Sequence, residues 1–353
     1  MRSMSWLVLG VCGACSGGGA VANGIVAAWQ SSTTNPAALA PLPKPRANHC
    51  SAAANGRLYV IGGNYKPVGS MSFVGIDDVQ VADQAVDGSL GAWRLAGTLP
   101  SALTACTATS DGRSLYLVGG LFEDEANRNK LWGATIGPDG ALGAFTELGP
   151  IAAGHTIVSS QAFVRDATLF VFDSTIAVDG AGPEGIVLLH APLTPALGTW
   201  AVDLGPAGFR GRPQYAATEK YVYAFGGYLD GNHQNEVVTD GFGAPFDVKP
   251  GLGASFPSSA LPAPRAFGAG VGVDDWVYVL GGKTAIFNGK GEVEVYAAQV
   301  GAAGALSAFT SVASLPEGRT NLDAVVLGDF LYVTGGGSTG GGLDNVFAAR
   351  VRF

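Results

Sequence analysis

The run Leu58-Tyr59-Val60-Ile61-Gly62-Gly63 returns as Leu115-Tyr116-Leu117-Val118-Gly119-Gly120, Val222-Tyr223-Ala224-Phe225-Gly226-Gly227, Val277-Tyr278-Val279-Leu280-Gly281-Gly282 and Leu331-Tyr332-Val333-Thr334-Gly335-Gly336. A degenerate copy, Leu169-Phe170-Val171-Phe172-Asp173-Ser174, fills the one wide gap between them. The first turn position therefore falls at 62, 119, 173, 226, 281 and 335, in steps of 57, 54, 53, 55 and 54. Each run is β-branched and aromatic without polar alternation, which describes a strand covered on both faces. The glycine pair that ends it supplies the positive φ of a tight turn. In the degenerate copy Asp173 stands in for the first glycine; Asp tolerates the left-handed region better than most residues, so the turn is expected to survive there at some cost.

A second phrase lies between copies of the first. Asp87-Gly88-Ser89-Leu90-Gly91-Ala92-Trp93, Asp139-Gly140-Ala141-Leu142-Gly143-Ala144-Phe145 and the stretch from Gly301 to Phe309 read as a turn leading into an aromatic-bearing outer strand. Trp200 and Phe256 take the matching places in the third and fourth units. The phrase occurs once more at Asn23-Gly24-Ile25-Val26-Ala27-Ala28-Trp29, before any complete repeat, while the sixth unit ends at Phe353 without a copy of its own. Six units of this period predict an all-β, six-bladed β-propeller with four antiparallel strands per blade. The strand around Trp29 is expected to complete the last blade, which closes the ring and leaves no open edge.

The glycine doublet after an aromatic strand, the spaced Trp or Phe, and the turns Leu42-Pro43, Leu99-Pro100, Leu261-Pro262 and Leu315-Pro316 make the chain resemble the Kelch repeat from residue 23 to 353. The resemblance implies the propeller but selects no activity, because Kelch propellers host binding modules and several unrelated enzymes. Kelch-type sialic-acid mutarotases are similar to this chain in size and use charged groups at the channel mouth. A galactose-oxidase-like copper site would need a Tyr–Cys crosslink with two Tyr and two His ligands, together with accompanying domains, and no such set is recognisable.

Charged residues make up 14% of the chain, hydrophobic residues 47%, and there are 54 glycines, a mixture that suits stacked sheets joined by tight turns. A net charge of −8 without a lysine-rich run argues against nucleic acid, which requires a concentrated positive surface. Residues 1–22 read as a targeting segment and tether: Arg2, then the apolar core from Trp6 to Val11, then Cys12-Gly13-Ala14-Cys15 and Ser16-Gly17-Gly18-Gly19. The core is too short to span a bilayer as a helix. The segment resembles a bacterial lipoprotein signal with Cys15 as the lipidated residue, although Cys12 stands where leucine is usual. Cleavage after Ala20-Val21-Ala22 is the competing reading. The first outcome puts residues 23–353 at the cell envelope, held to a membrane only through a lipid; the second gives a secreted protein.

Four antiparallel strands per blade place the loops that follow the glycine doublets on one face, with the entries to the next inner strands. These loops are the longer ones, so ligands are expected on that face. Arg46, Arg210, Arg265 and Arg319 each lie 16 residues before the first glycine of a doublet, with Ala102 or Leu103 in that place in the second blade and His155 offered by the third. Converging guanidinium groups can hold a carboxylate, sulfate or phosphate. The other reading of each arginine is a tie from its blade to a nearby carboxylate or carbonyl. Asp323, four residues past Arg319, is the one acid/base candidate beside them.

Cys50 and Cys106 fall at matching places on the first two inner strands; a disulfide needs their Cα atoms within about 7 Å, and two buried free thiols are the alternative. His49, His155, His190 and His233 show no metal-ligand spacing, Asp230 to Glu236 lacks the alternation of a calcium loop, and Glu123-Asp124-Glu125 reads as a solvated acidic loop. No metal or cofactor is expected. The function expected is a non-catalytic, monomeric binding module of the bacterial cell envelope. It would recognise a glycan, peptide or protein, anionic ones included, through the long-loop face. The alternative is a sugar-active enzyme of the sialic-acid mutarotase or epimerase type.

Overall fold

A computed structural model describes residues 26–352 apart from 153–154, 156, 176–184, 195, 208–209, 230–235, 247–250, 288–289 and 338–340. The lipidation candidate Cys15, the tether and His233 lie outside the described residues. Each repeated phrase is the second strand of a four-stranded antiparallel sheet. Blade 1 runs Cys50–Ala54, Arg57–Ile61, Asp78–Asp83 and Arg94–Thr98, from the axis outward. Blade 2 begins with Thr107–Ser110, blade 3 with Gln161–Arg165, blade 4 with Gln214–Ala217, blade 5 with Ala269–Val273 and blade 6 with Asp323–Leu327. The fold is a six-bladed β-propeller.

Apolar residues alternate between two neighbours, which is why the phrase strands carry no polar face. Leu58 and Val60 pack toward blade 6 with Tyr332 and Val346. Tyr59 and Ile61, pointing the other way, pack with Leu115 and Leu117 of blade 2. Each of the six blade interfaces holds one such buried cluster. Hydrogen bonds join the two phrases across blades: Tyr59, Tyr223 and Tyr332 donate their hydroxyls to the carbonyls of Gly140, Gly304 and Gly88, at 3.1, 2.8 and 2.7 Å.

The ring closes as the duplicated N-terminal phrase requires. Gln30 and Ser31 pair with Ala348 and Phe347, making the N-terminal segment the outermost strand of blade 6. Ala27 N donates to Arg350 O and Ser32 N to Val346 O. Trp29 sends its indole N–H to Ala313 O, 2.8 Å away beyond blade 5. Trp93 and Trp200 make the equivalent bonds, to Ala40 O and Pro150 O.

Blade 3 departs from expectation. In the other five blades the first glycine of the doublet has φ between 48 and 60°. At Gly62 a Cβ would lie 2.4 Å from Leu103 O, a contact no side chain could tolerate. The second glycine then donates its N–H to the next blade, to Leu103, Ile157, Arg265, Arg319 or Arg46 O. Asp173 does not preserve this turn. It stays in the strand Thr168–Thr175, paired with Val187, so the ladder runs on where the other blades break. The link to blade 4 is reversed, with Arg210 N donating to Ser174 Oγ at 2.9 Å.

Candidate ligand site at the channel mouth

The arginines counted from the repeat lie inside the blades. Arg46, Arg265 and Arg319 are buried. Arg46 donates to Gly62 O and Asp78 Oδ1, both at 3.0 Å. Arg265 reaches Glu294 Oε2 at 2.9 Å and the Tyr296 hydroxyl at 3.1 Å. Arg319 donates to Gly335 O at 2.8 Å and lies 3.8 Å above the Phe347 ring; burial outweighs nearby Glu317 and pulls its pKa down to about 10, which leaves it cationic at neutral pH. Arg210 pairs with Asp240 and donates to Gly226 O. Each is a strut: its backbone links to the preceding blade while its side chain ties the doublet turn or third strand of its own blade. None of the four lines the mouth cavity.

Leu103 and Ile157 take the arginine's place in blades 2 and 3, accepting from the second glycine of the preceding blade. His155 is two residues off that position and does not line the cavity either. Cys50 and Cys106 are bonded across blades 1 and 2, with Cα atoms 5.4 Å apart. Counted from the doublets, Cys106 stands one residue before the equivalent of Cys50, in the place His49 takes in blade 1.

What does surround the mouth is a ring the sequence does not advertise. Asn48, Ala105, Ser159, Arg212, Phe267 and Asn321 all have positive φ, from 51 to 60°. Each lies 14 residues before the first turn position of its blade. Backbone bonds run between them head to tail: Ser159 N to Ala105 O, Ala105 N to Asn48 O, Asn48 N to Asn321 O, Asn321 N to Phe267 O and Phe267 N to Arg212 O. Between blades 3 and 4 the link is made by a side chain, Arg212 Nη1 donating to Ser159 Oγ. Left-handed conformation in Phe, Ala or Arg costs on the order of 1–3 kcal/mol each and persists only where the surroundings impose it, often around a ligand. Only Asn48 and Asn321 share a residue type, so comparison of the repeats gives no common signal for the six.

Inside the ring is a cavity of about 170 Å³. Its lining includes Asn48, His49, Ser51, Gln161, Arg212 and Asp323. A further 140 Å³ continues down the channel, past Thr109, Phe163 and Val271. Two carboxyls stand near the mouth on opposite blades, Asp173 buried and Asp323 half-buried. Asp323 lines the cavity and accepts from Ser51 N at 2.5 Å and Ala324 N at 2.8 Å. Burial outweighs these bonds and pushes its pKa up to about 7. Asp173, in blade 3, is raised by burial to about 7 as well, against weaker opposition from Ser160, Ser174, Arg212 and Tyr215. His49 is held down to about 3, first by burial and then by Arg46 and Arg319, and is therefore neutral at physiological pH. Its Nε2 meets Thr334 Oγ1 at 2.8 Å while buried Nδ1 has no partner among the described residues.

No protein-family profile matches the chain, and no curated protein matches it. Among solved structures the chain is similar to that of YjhT, with a TM-score of 0.65 and 13% identity over 87% of this chain and 96% of that one. At that identity the likeness bears on the propeller fold alone.

Proposed function

We propose that this propeller is a non-catalytic recognition module of the cell envelope, holding a small hydroxyl-rich ligand, such as the end of a glycan, in the mouth cavity. The observation that carries the reading is the lining. Asn48, Asn321, Gln161, Ser51 and Thr107 offer uncharged donors and acceptors around a space many times larger than the roughly 10–15 Å³ one water needs. The inner strands and the backbone ring that leads into them hold these groups, and the four arginines counted from the repeat are spent inside the blades, which leaves Arg212 as the arginine on the described cavity wall. A glycan array probed with the full chain, followed by calorimetry on the hits, tests it. Asn48→Ala and Asn321→Ala are each expected to weaken binding about fivefold, the loss of one hydrogen bond. Array-wide silence, or hits indifferent to both changes, would reject it.

Asp323 favours a second reading, a sugar-active enzyme of the mutarotase or epimerase type. A carboxyl poised near 7 on the cavity wall suits a general acid or base. Both of its oxygens already accept backbone N–H groups, which is why recognition stands first. An anomerisation assay on the array hits decides between the two: turnover abolished by Asp323→Asn would establish the enzyme.

A further inference from the structure

The wall between blades 3 and 4 differs from the other five. The backbone ring is bridged there by a side chain, and the glycine turn is lost. Four buried polar atoms gather at the same place, Asp173 Oδ2, Ser160 Oγ, Gln161 Oε1 and the Tyr215 hydroxyl; among the described residues none makes a well-formed hydrogen bond, although Ser160 and Tyr215 face the Asp173 carboxyl. Buried polar groups are nearly always satisfied, so the hydrogen-bonding capacity left over in this cluster is open to a ligand. Ser160, Gln161 and Tyr215 line the cavity, and so does Arg212.

Arg212 is the contrast to the four struts. Among the described residues its one side-chain hydrogen bond goes to Ser159 Oγ, which leaves four of the five guanidinium donors without a described acceptor. Its Cζ lies 5.7 Å from the centre of the Phe267 ring, and Lys283 Nζ lies 4.5 Å from the same centre. Among the described residues neither cation forms an ion pair with a carboxylate.

We propose that the seam between blades 3 and 4 is an oxyanion site, in which Arg212 takes a negatively charged group of the ligand while Ser160, Gln161 and Tyr215 contact its polar surroundings. The inference rests on the recognition reading and narrows its ligand to one carrying an anionic substituent. Asp173 sets the pH dependence. The groups facing it are Ser160, Ser174, Tyr215 and the Arg212 cation; those facing Arg212 are Asp173, Tyr215 and Tyr228, with Lys283 across the Phe267 ring. With a proton on Asp173, Arg212 is an uncompensated cation and attracts an anion. As pH rises through about 7 the carboxylate forms, neutralises Arg212 and repels the anion, so affinity falls.

Sodium sulfate, fully ionised across the range, is the probe, titrated into the full chain against sodium chloride of equal ionic strength at about pH 6 and about pH 8. Arg212→Gln is expected to lose about tenfold or more in sulfate affinity at the lower pH. Asp173→Asn is expected to abolish the fall in affinity between the two pH values that the parent shows. The second variant keeps the test open if the first does not fold, as checked by circular dichroism. Sulfate binding that is absent from the parent, unchanged in a folded Arg212→Gln, or equal at both pH values overturns the site. A chain that binds neutral glycans sensitive to Asn321→Ala but takes no sulfate overturns the anion site alone. One that takes sulfate but no glycan overturns the recognition reading instead.

Discussion

Arg46 and Arg210 occupy equivalent places and make equivalent bonds, yet their surroundings differ. Arg46 is buried and its partner Asp78 is 8% exposed. Arg210 binds an Asp240 whose side chain is 62% exposed. Removing one member of a buried pair strands the other in a poor solvent, whereas an exposed carboxylate returns to water. Arg46→Met is therefore expected to cost about 3 kcal/mol, and Arg210→Met about 1 kcal/mol or less, in urea unfolding. Equal losses would contradict the strut assignment. The sequence could count these arginines but not aim them. Their partners Asp78, Asp240 and Glu294 stand 16, 14 and 13 residues after the first glycines, with no common interval to betray the pairing. Arg212 was hidden for the opposite reason: its role depends on a left-handed backbone shared by six positions that carry five residue types.

The strands, in contrast, were legible, because a strand buried on two faces leaves a continuous apolar run and its turn leaves a glycine pair. Blade 3 shows the limit of that signal. Asp can visit the left-handed region, but at residue 173 pairing with Val187 extends the ladder instead. The disulfide is an element-scale matter too, since it joins inner strands of neighbouring blades. It closes a loop with a sequence separation of 56. The chain-entropy relation assigns a loop of that length about 4 kcal/mol. A Cys50→Ala/Cys106→Ala variant should unfold about 2–4 kcal/mol more easily by denaturant titration. Reductant should lower the parent's midpoint toward the variant's and leave the variant unmoved; a parent insensitive to reductant would contradict a stabilising bridge.

At the scale of the whole ring, closure depends on a segment far from its partner in sequence, and a propeller is only as continuous as its last blade. With Gln30–Ser31 in place, Val346–Arg350 is paired on both sides. Without it that strand becomes an open edge, and the buried Val26 and the Trp29 indole no longer cover the interface between blades 5 and 6. Burying one side chain such as Val26 contributes about 1.5–3 kcal/mol. Deletion of residues 1–32 should therefore lower the thermal midpoint. It should also speed hydrogen exchange at Val346–Arg350 before any other blade and promote association through the freed edge, seen as a rise in mass by light scattering. A synthetic peptide of residues 23–36 supplied in trans should pair with the edge and reverse all three changes, because the contacts it restores are hydrogen bonds and apolar burial with no covalent requirement. A truncated chain that stays monomeric, with unchanged exchange along that strand, would show that blade 6 stands without the borrowed strand.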